Sequence, residues 1–158
     1  MDKRGPDFFI VGGPKCGTTA MFRYLGYHPR IYISERWFLR PGKREQSHYA
    51  TDLLPIADKW RSRDYYLSMF EGAGQGDLLG DASVFHMVST EAARNIHADN
   101  KDARIIAMVR NPLEMIPSYH SQMLYSGLED LTDLKEALAA ESDRREGKRL
   151  PGRLRFLE

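Results

Sequence analysis

The residues with the clearest chemical capacity are nine consecutive ones near the N-terminus. Residues 12–20 read GGPKCGTTA and follow a short apolar run from Phe8 to Val11, which is typical of a buried strand. A glycine-rich turn between a strand and a helix directs several backbone N–H groups to one point, in front of the positive end of the helix dipole. Lys15 adds a full positive charge, and two threonines add hydroxyl donors. This combination predicts a binding site for a phosphate or a similar anion.

The loop differs from the phosphate loop of nucleotide triphosphatases, which reads G-x-x-x-x-G-K-[ST]. Here the lysine precedes the inner glycine, Gly17, and no Gly-Lys-Ser/Thr follows. In the triphosphatase form the residue after the lysine binds Mg²⁺, so this sequence disfavours metal-assisted chemistry on a nucleotide triphosphate. A P-loop nucleotide kinase or hydrolase is therefore kept as the less favoured alternative. A further alternative is an ordinary strand-to-helix turn with an exposed lysine.

A second anion-binding arrangement lies in the second half of the chain. Arg110 directly follows the strand-like run from Arg104 to Val109, and Ser118 comes eight positions later in a predicted helix. Ligands of open parallel sheets bind at the carboxyl ends of the strands, which is where Arg110 emerges. A guanidinium and a hydroxyl can hold a phosphate together. The alternative is a surface ion pair of Arg110 with Glu114, which has helical spacing.

Together the two motifs resemble those of sulfotransferases that use 3′-phosphoadenosine 5′-phosphosulfate (PAPS). Residues 9–19, FIVGGPKCGTT, are similar to the 5′-phosphosulfate loop of that family, and residues 109–119, VRNPLEMIPSY, are similar to its 3′-phosphate motif. The resemblance implies that Arg110 and Ser118 bind the 3′-phosphate. The positions that it implies for the 5′-phosphosulfate are Lys15, Cys16, Gly17, Thr18, Thr19 and Ala20.

The resemblance also implies two catalytic residues. Sulfuryl transfer needs positive charge near the leaving phosphate and a general base for the proton of the acceptor. Lys15 fits the first role. Residues 33–38, ISERWF, resemble the acidic segment of heparan-type and related carbohydrate sulfotransferases, in which a glutamate is the base, and Glu35 is the matching residue. Two alternatives stay open, which are a surface patch of Glu35 with Arg36 and a histidine base such as His86.

Cys16 lies inside the phosphate loop, where a thiol invites a second interpretation. A nucleophilic cysteine needs a base that holds it as the thiolate, and no histidine lies near it in the sequence. We therefore interpret Cys16 as a residue that contributes its backbone to the loop.

The elements that must position these residues alternate between strands and helices. Predicted strands cover 7–12, 31–33, 78–83 and 104–109, and predicted helices cover 18–27, 64–70, 90–97, 112–125 and 131–141. Such alternation predicts an α/β fold, with a three-layer parallel sheet and flanking helices. The resemblance adds that the fold is P-loop-NTPase-like, and the length predicts a single domain over 1–158. A sheet of these strands alone leaves an edge bare, which predicts a fold that is incomplete at its C-terminal side.

The helix that follows Arg110 has well-marked boundaries. Asn111 can cap it, and Pro112 suits its first position. Pro117 removes a backbone hydrogen bond inside this helix, which predicts a kink just before Ser118.

Composition restricts the partners and the compartment. The formal net charge is +1, so no overall basic field indicates nucleic acid or an anionic membrane as a partner. Cys16 is the only cysteine, which excludes an internal disulfide and a cysteine-rich metal site, and no metal is expected. The apolar run near the N-terminus is too short for a signal sequence or a membrane span. A cytoplasmic location is expected, although a luminal enzyme without its anchor has the same composition.

The predicted function is transfer of a sulfuryl group from PAPS to a hydroxyl or amine of a carbohydrate or small molecule. The main alternative is a non-catalytic fragment that binds PAPS or its product, 3′-phosphoadenosine 5′-phosphate (PAP). It is considered because sulfotransferases that resemble this chain normally continue with more sheet and with a loop over the 3′-phosphate. The sequence indicates neither the acceptor nor the oligomeric state.

Overall fold

A computed structural model describes residues 5–34, 48–53, 62–83 and 85–151. The chain divides into two compact units, residues 1–109 and 110–158. The single domain over 1–158 stays a prediction. The helices of the described residues are α1 (Thr18–Gly26), α2 (Arg63–Ser68), α3 (Ala92–Asp99), α4 (Pro112–Tyr125), α5 (Leu134–Ala139) and α6 (Glu141–Arg145).

The first unit is built on a parallel sheet. Its strands in the described residues are β1 (Phe8–Gly12), β2 (Ile31–Ile33), β3 (Leu78–Asp81) and β4 (Arg104–Met108), in the order β2-β3-β1-β4. The register sets Phe9 beside Asp81 on one side and Ile105 on the other, and Gly12 beside Met108. Since all four strands run in the same direction, the loop after β1 leaves from the edge of the sheet where ligands of such folds bind.

Helices cover both faces of this sheet. Phe8 and Ile10 of β1 pack with Phe22 of α1 on one face. Phe9, which points the other way, packs in a cluster with residues of α2 and α3, including Tyr66. This arrangement confirms the predicted α/β fold with a three-layer parallel sheet. In the described part of the chain no strand pairs with the outer edge of β4, and the predicted incompleteness of the fold stays a prediction.

In two of the predicted elements, a boundary differs from the prediction because a short polar side chain binds the backbone. The strand predicted over 78–83 ends at Asp81, whose carboxylate accepts a hydrogen bond from the Ser83 N–H at 2.7 Å. The helix predicted over 131–141 is replaced by α5 and α6. Asp133 caps α5 by accepting from two backbone N–H groups, at 2.8 and 3.0 Å, so that helix begins at Leu134.

In the second unit, α4 begins as predicted. The side chain of Asn111 accepts a hydrogen bond from the Leu113 N–H at 2.9 Å, and the proline at 112 occupies the first helical turn. The helix continues through Pro117 as far as Tyr125, and the kink predicted just before Ser118 stays a prediction. Ser118 therefore lies within a continuous helix.

The segment between α4 and α5 is attached to α6 by ion pairs of Arg144 with Glu129 and, at 3.6 Å, with Asp130. Both terminal nitrogens of Arg144 donate to the carboxylate of Glu129, at 2.6 and 2.7 Å. The Glu129 side chain is only 7% exposed. Hydrogen bonds from Arg144, and then from the N–H groups of Leu131 and Asp130, lower the pKa of Glu129 to about 2. This carboxylate is therefore ionised at neutral pH and holds the connection in place.

Candidate anion-binding site

The loop between β1 and α1 begins at a glycine that has no room for a side chain. A Cβ atom on Gly12 would lie 2.7 Å from the carbonyl oxygen of Met108 and 2.7 Å from Cγ2 of Thr18. Gly12 is therefore held between the end of β4 and the start of α1. The close approach brings the first turn of α1 directly to the carboxyl end of the sheet.

Two residues of this loop adopt the left-handed backbone conformation. Lys15 has φ of 61° and Gly17 has φ of 89°. Glycine adopts this conformation freely, whereas a residue with a side chain pays about 1–2 kcal/mol for it. Such strain persists where the surrounding structure enforces it, and it is concentrated at functional sites. The strained residue here is the lysine that the sequence assigns to the anion.

The hydrogen bonds of the loop indicate which backbone donors face outward. The N–H of Cys16 donates to the Gly13 carbonyl at 3.3 Å, and that of Ala20 donates to the Gly17 carbonyl at 3.0 Å. The N–H groups that begin a helix have no carbonyl partner within it, and here they belong to residues 17–19. Ala20, which is among the residues predicted to bind the anion, therefore donates its backbone N–H within the first turn of the helix. An anion in front of this turn meets the positive end of α1.

The side chains of the loop are accessible to a ligand. Lys15 and Thr19 are exposed, and Thr18 and Cys16 are half-buried. The Cys16 sulfur lies 3.6 Å from the Pro14 carbonyl oxygen, within its own loop. The interpretation of Cys16 as a backbone contributor stays a prediction.

The second predicted phosphate element lies in the second unit. Nε of Arg110 is 3.4 Å from Oε2 of Glu114, and the Arg110 side chain is 39% exposed. The surface ion pair that was the alternative interpretation is therefore present. An exposed pair of this kind contributes only about 0–1 kcal/mol, so a phosphate can compete with Glu114 for the guanidinium. Ser118 is half-buried in α4.

A group of buried polar residues lies at or after the carboxyl ends of β2 and β3. Its members in the described residues are Ser34, Asp81, Ser83 and His86. The Tyr66 hydroxyl donates to Asp81 at 2.5 Å, and the Ser83 N–H donates to the other carboxylate oxygen at 2.7 Å. Burial, and then the charge of Asp81, raise the pKa of Tyr66. Asp81 therefore joins the exit of β3 to α2.

His86, the alternative base, is buried in the first unit against aromatic rings. It contacts Phe9 and Tyr49 edge to face, with ring centroids 5.6 and 5.8 Å away. Its two ring nitrogens have no hydrogen-bond partner in the described part of the chain. Burial lowers its pKa, so the ring is neutral at pH 7. A neutral imidazole is the form that a general base requires. However, the Phe9 ring that His86 contacts belongs to a residue three positions before Gly12, which corresponds to a rise of about 10 Å along β1.

The other predicted base, Glu35, lies outside the described residues, as do Trp37 and Phe38 beside it. Two aromatic residues of the middle region, Tyr49 and Tyr66, belong to the core cluster around Phe9.

Sequence reasoning missed one residue beside the loop. Met108, at the end of β4, lies next to both Gly12 and Gly17. In the sequence it is one more apolar residue of a buried strand. The signal that could have found it is its place two residues before Arg110, at the carboxyl end of a predicted strand.

Two further features of the described residues bear on the type of site. In the ranges that the structure covers, no group of three or more His, Cys, Asp or Glu side chains is arranged to hold a metal ion. Within the same ranges, no helix has the length and apolar character needed to cross a membrane.

Comparison with known proteins gives a consistent result. A model of the sulfotransferase family matches residues 6–149. The crystal structure of a sulfotransferase from Alicyclobacillus acidocaldarius matches with a TM-score of 0.73 and 31% sequence identity, over 90% of this chain and 59% of that one. This likeness confirms the predicted P-loop-like α/β fold.

Curated proteins with similar sequences are also sulfotransferases. The membrane-associated sulfotransferase kil1 of Dictyostelium discoideum is 26% identical over 119 residues, which are 73% of this chain and 22% of that protein. Heparan sulfate glucosamine 3-O-sulfotransferase 6 of Homo sapiens is 27% identical over 122 residues, 77% of this chain and 32% of that protein. The chain thus spans between about a fifth and a third of the length of these relatives. Since the family model matches nearly all of it, the chain belongs to the sulfotransferase family.

Proposed function

We propose that this protein binds PAPS and transfers its sulfuryl group to a hydroxyl or amine acceptor. The observation that carries the proposal is the loop of residues 13–17 between β1 and α1. It combines a strained, exposed lysine with a helix start whose first residues are largely exposed. Membership of the sulfotransferase family supports sulfuryl transfer as the chemistry of this loop.

In the proposed complex the loop binds the 5′-phosphosulfate. The outward N–H groups at the start of α1 and the hydroxyls of Thr18 and Thr19 donate to the phosphate oxygens. Lys15 neutralises the negative charge that grows on the leaving phosphate as the bond to sulfur breaks. The fit is chemical as well as geometric, because a phosphosulfate is an anion and the loop offers donors and one cation.

Arg110 and Ser118 are proposed to bind the 3′-phosphate, which distinguishes PAPS and PAP from AMP. Isothermal titration calorimetry should therefore show PAP binding at least about tenfold more tightly than AMP. Removing a charge-assisted hydrogen bond costs about 1.5–3 kcal/mol. Arg110→Ala should accordingly weaken PAP binding by about tenfold or more and leave AMP binding unchanged.

Glu114→Ala is the matched control for this measurement. It removes the partner of Arg110 in the ion pair but keeps the guanidinium, so PAP affinity should be retained or increased. Equal affinities for PAP and AMP in the unsubstituted protein would show that the 3′-phosphate is not recognised.

We propose a carbohydrate hydroxyl as the acceptor, because a relative that is 27% identical over 122 residues is named as a heparan sulfate sulfotransferase. Glu35 is proposed as the base. Glu35→Gln should reduce sulfuryl transfer by about 10²-fold or more, since a general base contributes that much, and PAP affinity should stay unchanged. Transfer is measured with labelled PAPS against a panel of sugars, phenols and alcohols.

His86→Phe separates the two candidate bases. The substitution keeps an aromatic ring beside Phe9 and Tyr49, and transfer should be retained if Glu35 is the base. Loss of transfer in His86→Phe together with full activity in Glu35→Gln would reverse the assignment. PAP binding without transfer to any acceptor would favour the non-catalytic alternative. The cytoplasmic location stays a prediction.

A further inference from the structure

The contact between the phosphate loop and Met108 has a consequence for ligand binding. Met108 pairs with Gly12 in the parallel register of β1 and β4. A Cβ on Gly12 would lie 3.2 Å from the Met108 Cβ, so the base of the methionine side chain lies directly beside the start of the loop.

The far end of the same side chain reaches the end of the loop. A Cβ on Gly17 would lie 3.4 Å from Cε of Met108, which is van der Waals distance. Met108 therefore lies beside both Gly12 and Gly17, the glycines at the two ends of the loop. Met108 also packs against the core cluster that contains Ile10 and Phe22. It connects the loop to the core of the first unit.

This support acts where the backbone conformation is most demanding. Lys15 and Gly17 are both left-handed, and Gly17 has no side chain of its own to hold it in place. An unbranched thioether side chain can fill the irregular space beneath such a turn, and it brings no charge that would compete with the anion. Removing it would leave space into which the turn can relax.

We propose that Met108 is a positioning residue for the phosphate loop, which holds the turn at Gly17 in the conformation that binds the anion. It acts through the loop backbone and does not touch the ligand. The inference rests on the proposed binding of PAPS by this loop.

The test compares Met108→Ala, Met108→Leu and Ile106→Ala by calorimetry with PAP. Ile106 is the matched control, because it lies on the same strand two residues earlier and packs against the same cluster. All measurements are made at a temperature at which each variant is fully folded by circular dichroism. Met108→Ala should weaken PAP binding by about tenfold, since small displacements of a binding group are costly. Met108→Leu, which nearly conserves volume, should restore affinity to within about twofold.

Ile106→Ala should lower thermal stability but bind PAP as the unsubstituted protein does. If Ile106→Ala and Met108→Ala weaken PAP binding equally, Met108 has only a general role in the core and the proposal is overturned. Affinity that is unchanged in Met108→Ala overturns it as well.

A second measurement does not depend on the ligand. Cys16 is the only cysteine and lies half-buried in the loop, so its alkylation rate with iodoacetamide reports on the loop itself. Alkylation should be faster in Met108→Ala than in the unsubstituted protein, Met108→Leu or Ile106→Ala. If the unsubstituted protein binds no PAP, the proposed function fails, and the alkylation rates alone decide the role of Met108. Equal rates in all four proteins would overturn it.

Discussion

Lys15→Ala should remove most of the affinity for PAP and nearly all sulfuryl transfer. Alanine keeps a Cβ at a position with φ of 61°, so the backbone strain is similar and the variant tests the charge. Loss of a charge-assisted contact corresponds to about a tenfold or larger increase in the dissociation constant. Loss of charge stabilisation in the transition state should reduce the transfer rate by about 10²–10³-fold. Calorimetry with PAP and a transfer assay with labelled PAPS measure the two effects separately.

Lys101→Ala is the control for Lys15→Ala. Lys101 is exposed in the turn between α3 and β4, at the amino end of that strand and far along it from the loop. Its replacement should change neither PAP affinity nor transfer. Full affinity and full transfer in Lys15→Ala would rule out the role assigned to that lysine.

Gly12→Ala should destabilise the protein and abolish PAP binding together. The added methyl group would lie 2.7 Å from the carbonyl oxygen of Met108, and this backbone atom cannot turn aside as a side chain can. Crowding of this kind costs about 1–3 kcal/mol in the free energy of unfolding. Since the same methyl group meets Thr18, the start of α1 must shift away from the sheet. Urea unfolding gives the loss of stability, and calorimetry gives the loss of binding.

Gly26→Ala is the control for Gly12→Ala, and it is expected to lose neither stability nor PAP binding. Gly26 is the last residue of α1, and a Cβ there would have no neighbour within 4 Å. Alanine reduces the conformational freedom of the unfolded chain, so the free energy of unfolding of this variant should increase by about 0.5–1 kcal/mol. The variant should bind PAP as the unsubstituted protein does. A Gly12→Ala protein with the unfolding midpoint of the unsubstituted chain would contradict the close packing described for β1, β4 and α1.

The strand, loop and helix at the N-terminus could be predicted from sequence because their signals are local. An apolar run, two glycines and the helical spacing of Met21, Phe22 and Leu25 follow one another without conflict, and α1 ends within one residue of its predicted end. The start of α4 was equally clear, since Asn111 and Pro112 mark it.

Other features depend on contacts between residues distant in the chain. The position of Met108 beside the phosphate loop follows from the register of β1 and β4, which no local pattern encodes. The burial of His86 depends on Phe9 and Tyr49 in the same way. The end of β3 is a different case. Asp81 is itself a local signal for a turn, but the apolar residues around it favoured a longer strand in the prediction.

The left-handed conformation of Lys15 also bears on how this protein would respond to stabilisation. Glycine or asparagine suits such a backbone better than lysine does, so replacements at this position can raise stability. Those same replacements remove the positive charge on which the proposed chemistry depends. Engineering for thermal tolerance, guided by backbone preference alone, would therefore select against function at this position. Lys15 is a site where stability and activity trade off directly.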